Sequence, residues 1–148
     1  MQSHEDQGKF QKEFYWLGVR DQIEFFGSLR VLLERVNIPP AQIEQLIADI
    51  AVTLDDLQSL RRMVRKRMTL IKGTSLSNMY ELKWDFAGPQ NLRYGIRMYF
   101  VEEDKWIIGL RWQVKPLVIP AAVIRQLQNI EIGRAESIYL QYRRKEIE

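Results

Sequence analysis

The sequence predicts an α+β domain in which N-terminal helices pack on a small antiparallel sheet and a C-terminal helix ends the chain. Apolar residues recur at helical spacing between residues 20 and 68, alternate with polar ones from 79 to 115, and return to helical spacing after Pro120. The 148 residues suffice for one domain. We therefore expect a single α+β domain over 10–148, with an extended helical N-terminal half. The polar leader, 1–9, is expected to be disordered.

The sheet is predicted from three strands, Met79–Phe86, Leu92–Val101 and Lys105–Lys115. Side chains of a strand alternate between the two faces of its sheet. One face is then almost wholly apolar, which predicts that it packs on the core. Its residues are Tyr80, Leu82, Trp84, Phe86, Leu92, Tyr94, Ile96, Met98, Phe100, Trp106, Ile108, Leu110, Trp112 and Val114.

The opposite face is predicted to be polar and mostly basic, with Lys83, Arg93, Arg97, Arg111 and Lys115. Only Glu81 and Asp85 oppose these cations, and both lie on the first predicted strand. A solvated sheet face is one interpretation. The scarcity of acids equally favours a surface that binds a polyanion. The pattern alone leaves both open.

The N-terminal half predicts a short strand at Phe14–Leu17 and a helix at about 20–36, which Pro39 and Pro40 end. Pro40 suits the first turn of a second helix. Thr53, followed three residues later by Asp56, resembles a capping pair. We therefore predict that a third helix begins at Leu54 and runs to Met68.

The predicted helix Leu54–Met68 carries a run of cations without an interleaved acid, and a last helix is predicted at Ala121–Arg144. The cations of the run are Arg61, Arg62, Arg65, Lys66 and Arg67. A solvated helix face and a phosphate-contacting surface both explain this run. Cations at the end of the last helix complement the helix dipole, which explains them structurally.

Composition excludes several classes of function. The chain has no Cys, and its single His4 lies in the polar leader. Thiolate catalysis, disulfides and zinc–cysteine sites are therefore excluded, and a cytoplasmic location fits. We expect no cofactor and no metal, since no spaced carboxylate cluster stands out. No apolar run is long enough for a transmembrane helix.

The uneven charge favours a nucleic acid or an acidic protein as partner. The net charge is only +3, but the basic residues bunch in the run at 61–72, on the sheet and near the C-terminus. RNA cleavage by its own 2′-hydroxyl is a chemistry that this chain can support. It requires an aligned phosphate, cations for the developing charge, and an acid or base such as Lys or Tyr. Tyr99 lies among the cations of the basic face.

The order and spacing of short motifs in the C-terminal half carry a family resemblance. Lys72-Gly73-Thr74 leads to Tyr80-Glu81-Leu82-Lys83, then to Ile96–Phe100 with Arg97 and Tyr99, to Lys115, to Pro120, and to Glu131–Ala135. In these features residues 73–136 resemble the RelE/HigB superfamily of toxins from toxin–antitoxin modules, and most of all its phage-derived RelE-like branch.

The resemblance implies a metal-independent mRNA endonuclease, acting on the ribosome in many members, that a cognate antitoxin neutralises. It implies catalytic roles for Lys83, Arg97, Arg111 and Lys115, and RNA-binding roles for Arg61, Arg65, Lys66 and Arg93. Three positions depart from the family. Lys83 replaces an Arg, Arg111 replaces a His, and Lys115-Pro116 replaces a lysine pair. The alternatives are a non-catalytic RNA- or protein-binding module on the same fold, and an interaction protein whose basic face docks an acidic partner.

Overall fold

The computed structural model describes residues 12–58, 68–71, 76 and 78–147. Its elements are β1 (Glu13–Trp16), α1 (Gln22–Arg35), α2 (Pro40–Gln58), β2 (Met68–Leu70), β3 (Met79–Ala87), β4 (Arg93–Glu102), β5 (Trp106–Pro116) and α3 (Ala121–Ile147). The strand order in the sheet is β1-β5-β4-β3-β2. All neighbours are antiparallel except β1, which runs parallel to β5. The predicted α+β class is confirmed, and a parallel edge strand completes the antiparallel sheet.

Helices α1 and α2 cover one face of the sheet and form the main core with it. Asp21 caps α1, because its side chain accepts a hydrogen bond from the Glu24 backbone N–H at 2.9 Å. Leu29 and Leu33 of α1 are fully buried. Trp112 Nε1 donates to the Phe25 carbonyl at 2.9 Å, which ties α1 to β5. Most of the predicted apolar face of β3 and β4 therefore packs on the N-terminal helices. Leu92, predicted on that face, lies before β4 and is 40% exposed.

Helix α2 continues through the position where a new helix was predicted. Thr53 Oγ1 donates to the Asp49 carbonyl, one turn earlier, at 3.2 Å, so Thr53 lies inside the helix and does not cap one. The predicted helix Leu54–Met68 is therefore wrong at both ends. Leu54 belongs to α2, and Met68 begins β2. The cations predicted between them lie outside the described residues, as do the leader and Lys72-Gly73-Thr74.

A β-bulge in β5 corrects the predicted faces. Tyr99 pairs with Arg111 while Phe100 pairs with Gly109, so Leu110 is an extra residue. An extra residue shifts the alternation of the strand by one. Before the bulge, Ile107 joins the main core, whereas Ile108 and Leu110 face the other side. The prediction that Trp106, Ile108 and Leu110 line the main core is therefore wrong, and Trp106 is 39% exposed.

Helix α3 covers part of the sheet face that was predicted to be open and basic. A second core forms there, in which Ala135 and Tyr139 of α3 pack with Met79, Val101 and Leu110 of the sheet. The sheet is thus packed between helices on both faces. Within the described part of the chain, no helix is long and apolar enough to cross a membrane.

Candidate functional site

The register of the three central strands gathers the polar residues of the covered face into three rows. Asp85, Gly95 and Lys115 form one row, Lys83, Arg97 and Gln113 the next, and Glu81, Tyr99 and Arg111 the third. The four predicted catalytic cations therefore lie on one face. We call these rows, together with Gln128 and Glu131 of α3, the polar cluster.

Arg97 lies at the centre of the polar cluster and is 7% exposed. Its Nη1 forms an ion pair with Asp85 Oδ1 at 3.0 Å and donates to the Ile96 carbonyl, also at 3.0 Å. Gly95 provides the space for the guanidinium, since a Cβ there would lie 2.8 Å from Nη1. The Arg97 guanidinium is thus held by the Asp85 carboxylate, in space that a side chain at position 95 would fill.

Lys115 is 5% exposed and is held by the C-terminal helix. Its Nζ donates to Gln128 Oε1 at 3.0 Å, and Gln128 Nε2 donates to Glu81 Oε2 at 2.8 Å. Burial lowers the pKa of Lys115, and the Arg97 charge lowers it further against the opposing effects of Glu81 and Asp85. Lys115 thus combines a depressed pKa with an adjacent guanidinium.

Arg111 faces Glu131 of α3. The Arg111 Nε and Glu131 Oε2 atoms are 2.8 Å apart, and Arg134 Nη1 approaches Glu131 Oε1 at 2.9 Å. The facing Arg111 and Glu131 atoms are buried, and no described group completes an aligned hydrogen bond with either. One carboxylate therefore serves two guanidinium groups, and the charge of Arg111 is compensated inside the protein.

Tyr99 does not fit the predicted role of a proton shuttle. It is fully buried, and its hydroxyl donates to Gln113 Oε1 at 2.6 Å. Burial, followed by the charge of Glu81, raises the pKa of its hydroxyl far above the ordinary value. Proton shuttling requires a lowered pKa, and the Tyr99 phenol stays neutral and hydrogen-bonded. Tyr99 is therefore a structural member of the polar cluster.

Among the predicted site residues that the structure describes, Lys83 and Arg93 are exposed. Lys83 is opposite Arg97 on the neighbouring strand, and Arg93 begins β4 beyond Gly95. The remaining RNA-binding predictions, Arg61, Arg65 and Lys66, lie outside the described residues.

Sequence reasoning missed Gln128 and Glu131 as members of the site. A signal was present, because both lie on the side of α3 that carries the buried Ala135, three and four residues apart. Their partners come from β3 and β5, however, so the contacts depend on how α3 docks on the sheet. Strand alternation carries no information on that docking.

The polar cluster contains balanced charges rather than a purely basic surface. Arg97, Arg111 and Lys115 lie against Asp85, Glu131 and the Gln128–Glu81 pair. Over the described ranges, no group of three or more acidic or His side chains could hold a metal ion. Comparison of the chain with protein-family models, curated proteins and solved structures found no match.

Proposed function

We propose that this chain is a metal-independent mRNA endonuclease of the RelE/HigB toxin type that acts in the cytoplasm and is neutralised by an antitoxin protein. The observation that supports it is Lys115, a lysine with a depressed pKa beside Arg97 on a face that also carries Lys83. A lowered pKa gives a lysine a larger neutral fraction, which a general base requires. The resemblance of residues 73–136 supports the same function.

In this proposal the RNA phosphate lies over the row of Lys83 and Arg97. Lys115 accepts the proton of the 2′-hydroxyl, the 2′-oxygen bonds to phosphorus, and the bond to the 5′-oxygen breaks. Arg97 and Lys83 stabilise the negative charge that develops on the phosphate oxygens. An ammonium group of the site protonates the leaving 5′-oxygen. The ribosome would align the message in the site.

Access to Lys115 requires a change at α3, because its Nζ already donates a hydrogen bond to the Gln128 side chain. The proposal therefore includes displacement of the Gln128 side chain by the substrate. A substrate oxygen that replaces Gln128 Oε1 conserves the number of hydrogen bonds to the Lys115 amino group.

Expression in a bacterial host tests the proposal, with the wild type beside Lys115→Met, Arg97→Lys and a surface control, Arg125→Ala. We expect growth arrest from the wild type and the control, and relief by Lys115→Met. Arg97→Lys keeps the charge but loses the fork geometry, so we expect partial relief. Circular dichroism of the purified variants separates lost activity from lost folding.

Purified protein in a translating extract provides the direct readout. We expect cleaved mRNA even when a chelator removes the other metal ions and leaves the Mg²⁺ that ribosomes need. Intact mRNA with folded protein in excess would contradict the proposal.

A non-catalytic binding module on the same fold is the second candidate. The Arg111–Glu131 and Arg97–Asp85 pairs favour it, because both cations are compensated within the protein. Its mark is RNA affinity that falls with salt, without cleavage. A module that docks an acidic protein would instead show no RNA affinity at moderate salt.

A further inference from the structure

The outer edge of β5 is only partly used by the sheet. Strand β1 pairs with β5 from Trp106 to Gly109, and beyond Gly109 the described residues that pair with β5 belong to β4. The Leu117 N–H donates to the Arg93 carbonyl at 2.9 Å, which sets the alternation of the antiparallel ladder. The backbone N–H and C=O groups of Trp112 and Val114 consequently point away from β4, toward the outer edge of β5.

A groove follows this edge. A cavity of about 400 Å³ lies between α1 and β5, and a cavity of about 310 Å³ lies between β5 and α3. Both cavities are lined by Leu32, Arg111 and Trp112, so they adjoin along the edge. We call the two cavities together the β5 edge groove. No described residue makes a backbone hydrogen bond to the outward groups of Trp112 or Val114 there.

The lining of the β5 edge groove combines exposed aliphatic side chains with positive charge. Val31, Leu127 and Ile130 are between 40% and 52% exposed. The charged lining residues are four cations and one carboxylate: Arg35, Arg111, Lys115, Arg134 and Glu131. A groove of this composition favours a chain that offers carboxylates and aliphatic groups together.

We propose that the β5 edge groove binds an extended acidic segment of a partner protein, which adds a strand to the sheet beside Trp112 and Val114. The backbone of the segment would pair with the outward groups of β5, as in other cases of strand addition. Aliphatic side chains of the segment would pack on Leu127 and Ile130, and its carboxylates would face Arg35 and Arg134.

The charge of the groove favours this occupant over a second copy of the chain. Edge-to-edge pairing of two copies would bring the same arginine-lined grooves together, and like charges across an interface are unfavourable. An acidic segment instead neutralises them. The groove includes Lys115, so a bound segment would cover part of the site proposed for RNA cleavage. Peptide binding is measured without RNA, so it stands or fails separately from cleavage.

Binding of synthetic peptides to the full chain tests the proposal by fluorescence anisotropy. The probes are a short peptide that alternates Val and Glu, the same peptide with Lys in place of Glu, and the acidic peptide N-methylated along one edge. We expect the acidic peptide alone to bind. N-methylation removes two or three backbone bonds worth about 1 kcal/mol each, so we expect a loss of at least about tenfold.

Two variants locate the binding on the protein. Val114→Pro removes an outward N–H while the β4 ladder keeps its bonds, because edge positions tolerate Pro. We expect Val114→Pro to weaken peptide binding by about tenfold or less, because it removes one backbone hydrogen bond and disturbs those beside it. Arg35→Gln should weaken binding severalfold, and Arg125→Gln, on the exposed side of α3, is the matched control and should leave it unchanged.

Several results would overturn the proposal. Equal binding of the Lys peptide would contradict the role of charge in the proposal. Wild-type binding that N-methylation does not weaken would contradict strand pairing. The N-methylated probe keeps this test valid even where Val114→Pro fails to fold. Self-association in sedimentation that Val114→Pro abolishes would assign the groove to a second copy. RNA binding weakened by the same variant would assign it to nucleic acid.

Discussion

Gln128 of α3 accepts a hydrogen bond from Lys115 of β5 at 3.0 Å, in a position where the lysine is 5% exposed. The same amide donates to Glu81 of β3 at 2.8 Å. One neutral side chain thus joins a buried cation to a buried anion across two strands. This arrangement satisfies both charges, and it also determines what a substrate must displace.

Gln128→Leu is expected to lower the free energy of unfolding by about 1–3 kcal/mol at neutral pH, because Lys115 and Glu81 both lose a buried partner. The pKa of Lys115 lies below its ordinary value in the folded protein, so the folded state releases its proton before the unfolded chain does. The deficit of the variant should therefore shrink as pH rises toward 10.5, the ordinary pKa of lysine.

Urea unfolding near neutral pH and in the alkaline range measures this effect. Gln126→Leu, an exposed position on the same helix, is the matched control and should change stability little at either pH. A loss of unfolding free energy in Gln128→Leu that is the same at both pH values would show that protonation of Lys115 does not depend on the Gln128 amide.

Glu131→Gln is expected to strengthen RNA binding if the polar cluster contacts phosphate. The substitution removes the carboxylate that compensates Arg111 and Arg134. Release of about 1 kcal/mol of ion pairing corresponds to about fivefold in affinity at low salt. The dependence of log affinity on log salt should also become steeper by about one charge.

A filter-binding titration of single-stranded RNA over a range of salt concentrations measures both quantities. Glu34→Gln removes a negative charge from the exposed surface of α1 and controls for net charge. Equal gains in the two variants would mean that long-range charge, and not Arg111, governs the affinity.

Strands β3 and β4 are predictable because each has one buried apolar face, so period-two alternation persists from Met79 to Phe100. The bulge at Leu110 is not. Ile107, Ile108 and Leu110 are all apolar, so the local pattern allows either orientation of this part of β5. In the observed orientation Gly109 lies close to Trp16, and that contact joins residues far apart in sequence.

The strand residues of the candidate site were predictable, but the α3 residues that contact them were not. Parity places Lys83, Arg97, Arg111 and Lys115 on one face, which the register confirms. The helical period of α3 does not specify which sheet face receives it, so the pairing of Glu131 with Arg111 emerges only from the docked helix. Thr53 misled for a related reason, since a hydroxyl that bonds to the preceding turn and one that caps a helix look alike in sequence.

Gly109→Ala is expected to destabilise the fold by about 1–3 kcal/mol through overpacking. A Cβ at this position would lie 2.4 Å from Trp16 Cε3, and Trp16 is already stacked on Phe25 with ring centroids 4.6 Å apart. The ring can therefore retreat only by disturbing α1. Gly133→Ala is the matched control, because nothing lies within 4 Å of its Cβ position in α3.

In a helix interior, Ala is favoured over Gly by about 1 kcal/mol, so Gly133→Ala should stabilise the protein. Thermal unfolding of the two variants beside the wild type should therefore shift the midpoint in opposite directions. A Gly109→Ala variant as stable as the wild type would contradict the close contact between Trp16 and β5.

Tyr139 and Glu103 provide a test of the docking of α3 that depends on pH. The Tyr139 hydroxyl donates to Glu103 Oε1 at 2.6 Å, between α3 and the β4–β5 connection. Burial and this hydrogen bond to the carboxylate raise the pKa of Tyr139 to about 12. At neutral pH, Tyr139→Phe should lower the free energy of unfolding by about 1.5–3 kcal/mol, the range for a hydrogen bond to a charged group.

The sign of the pH dependence follows from the raised pKa. The unfolded chain loses the tyrosine proton near pH 10, whereas the folded protein keeps it until about pH 12. The stability that Tyr139 contributes is therefore fully present below pH 10 and is lost as pH rises through 12. Chemical unfolding of the wild type and Tyr139→Phe should converge over this interval, while Tyr15→Phe, at a tyrosine that is 44% exposed, controls for general alkaline effects. A constant difference between wild type and Tyr139→Phe at every pH would place the stabilising contribution in ring packing instead of the hydroxyl.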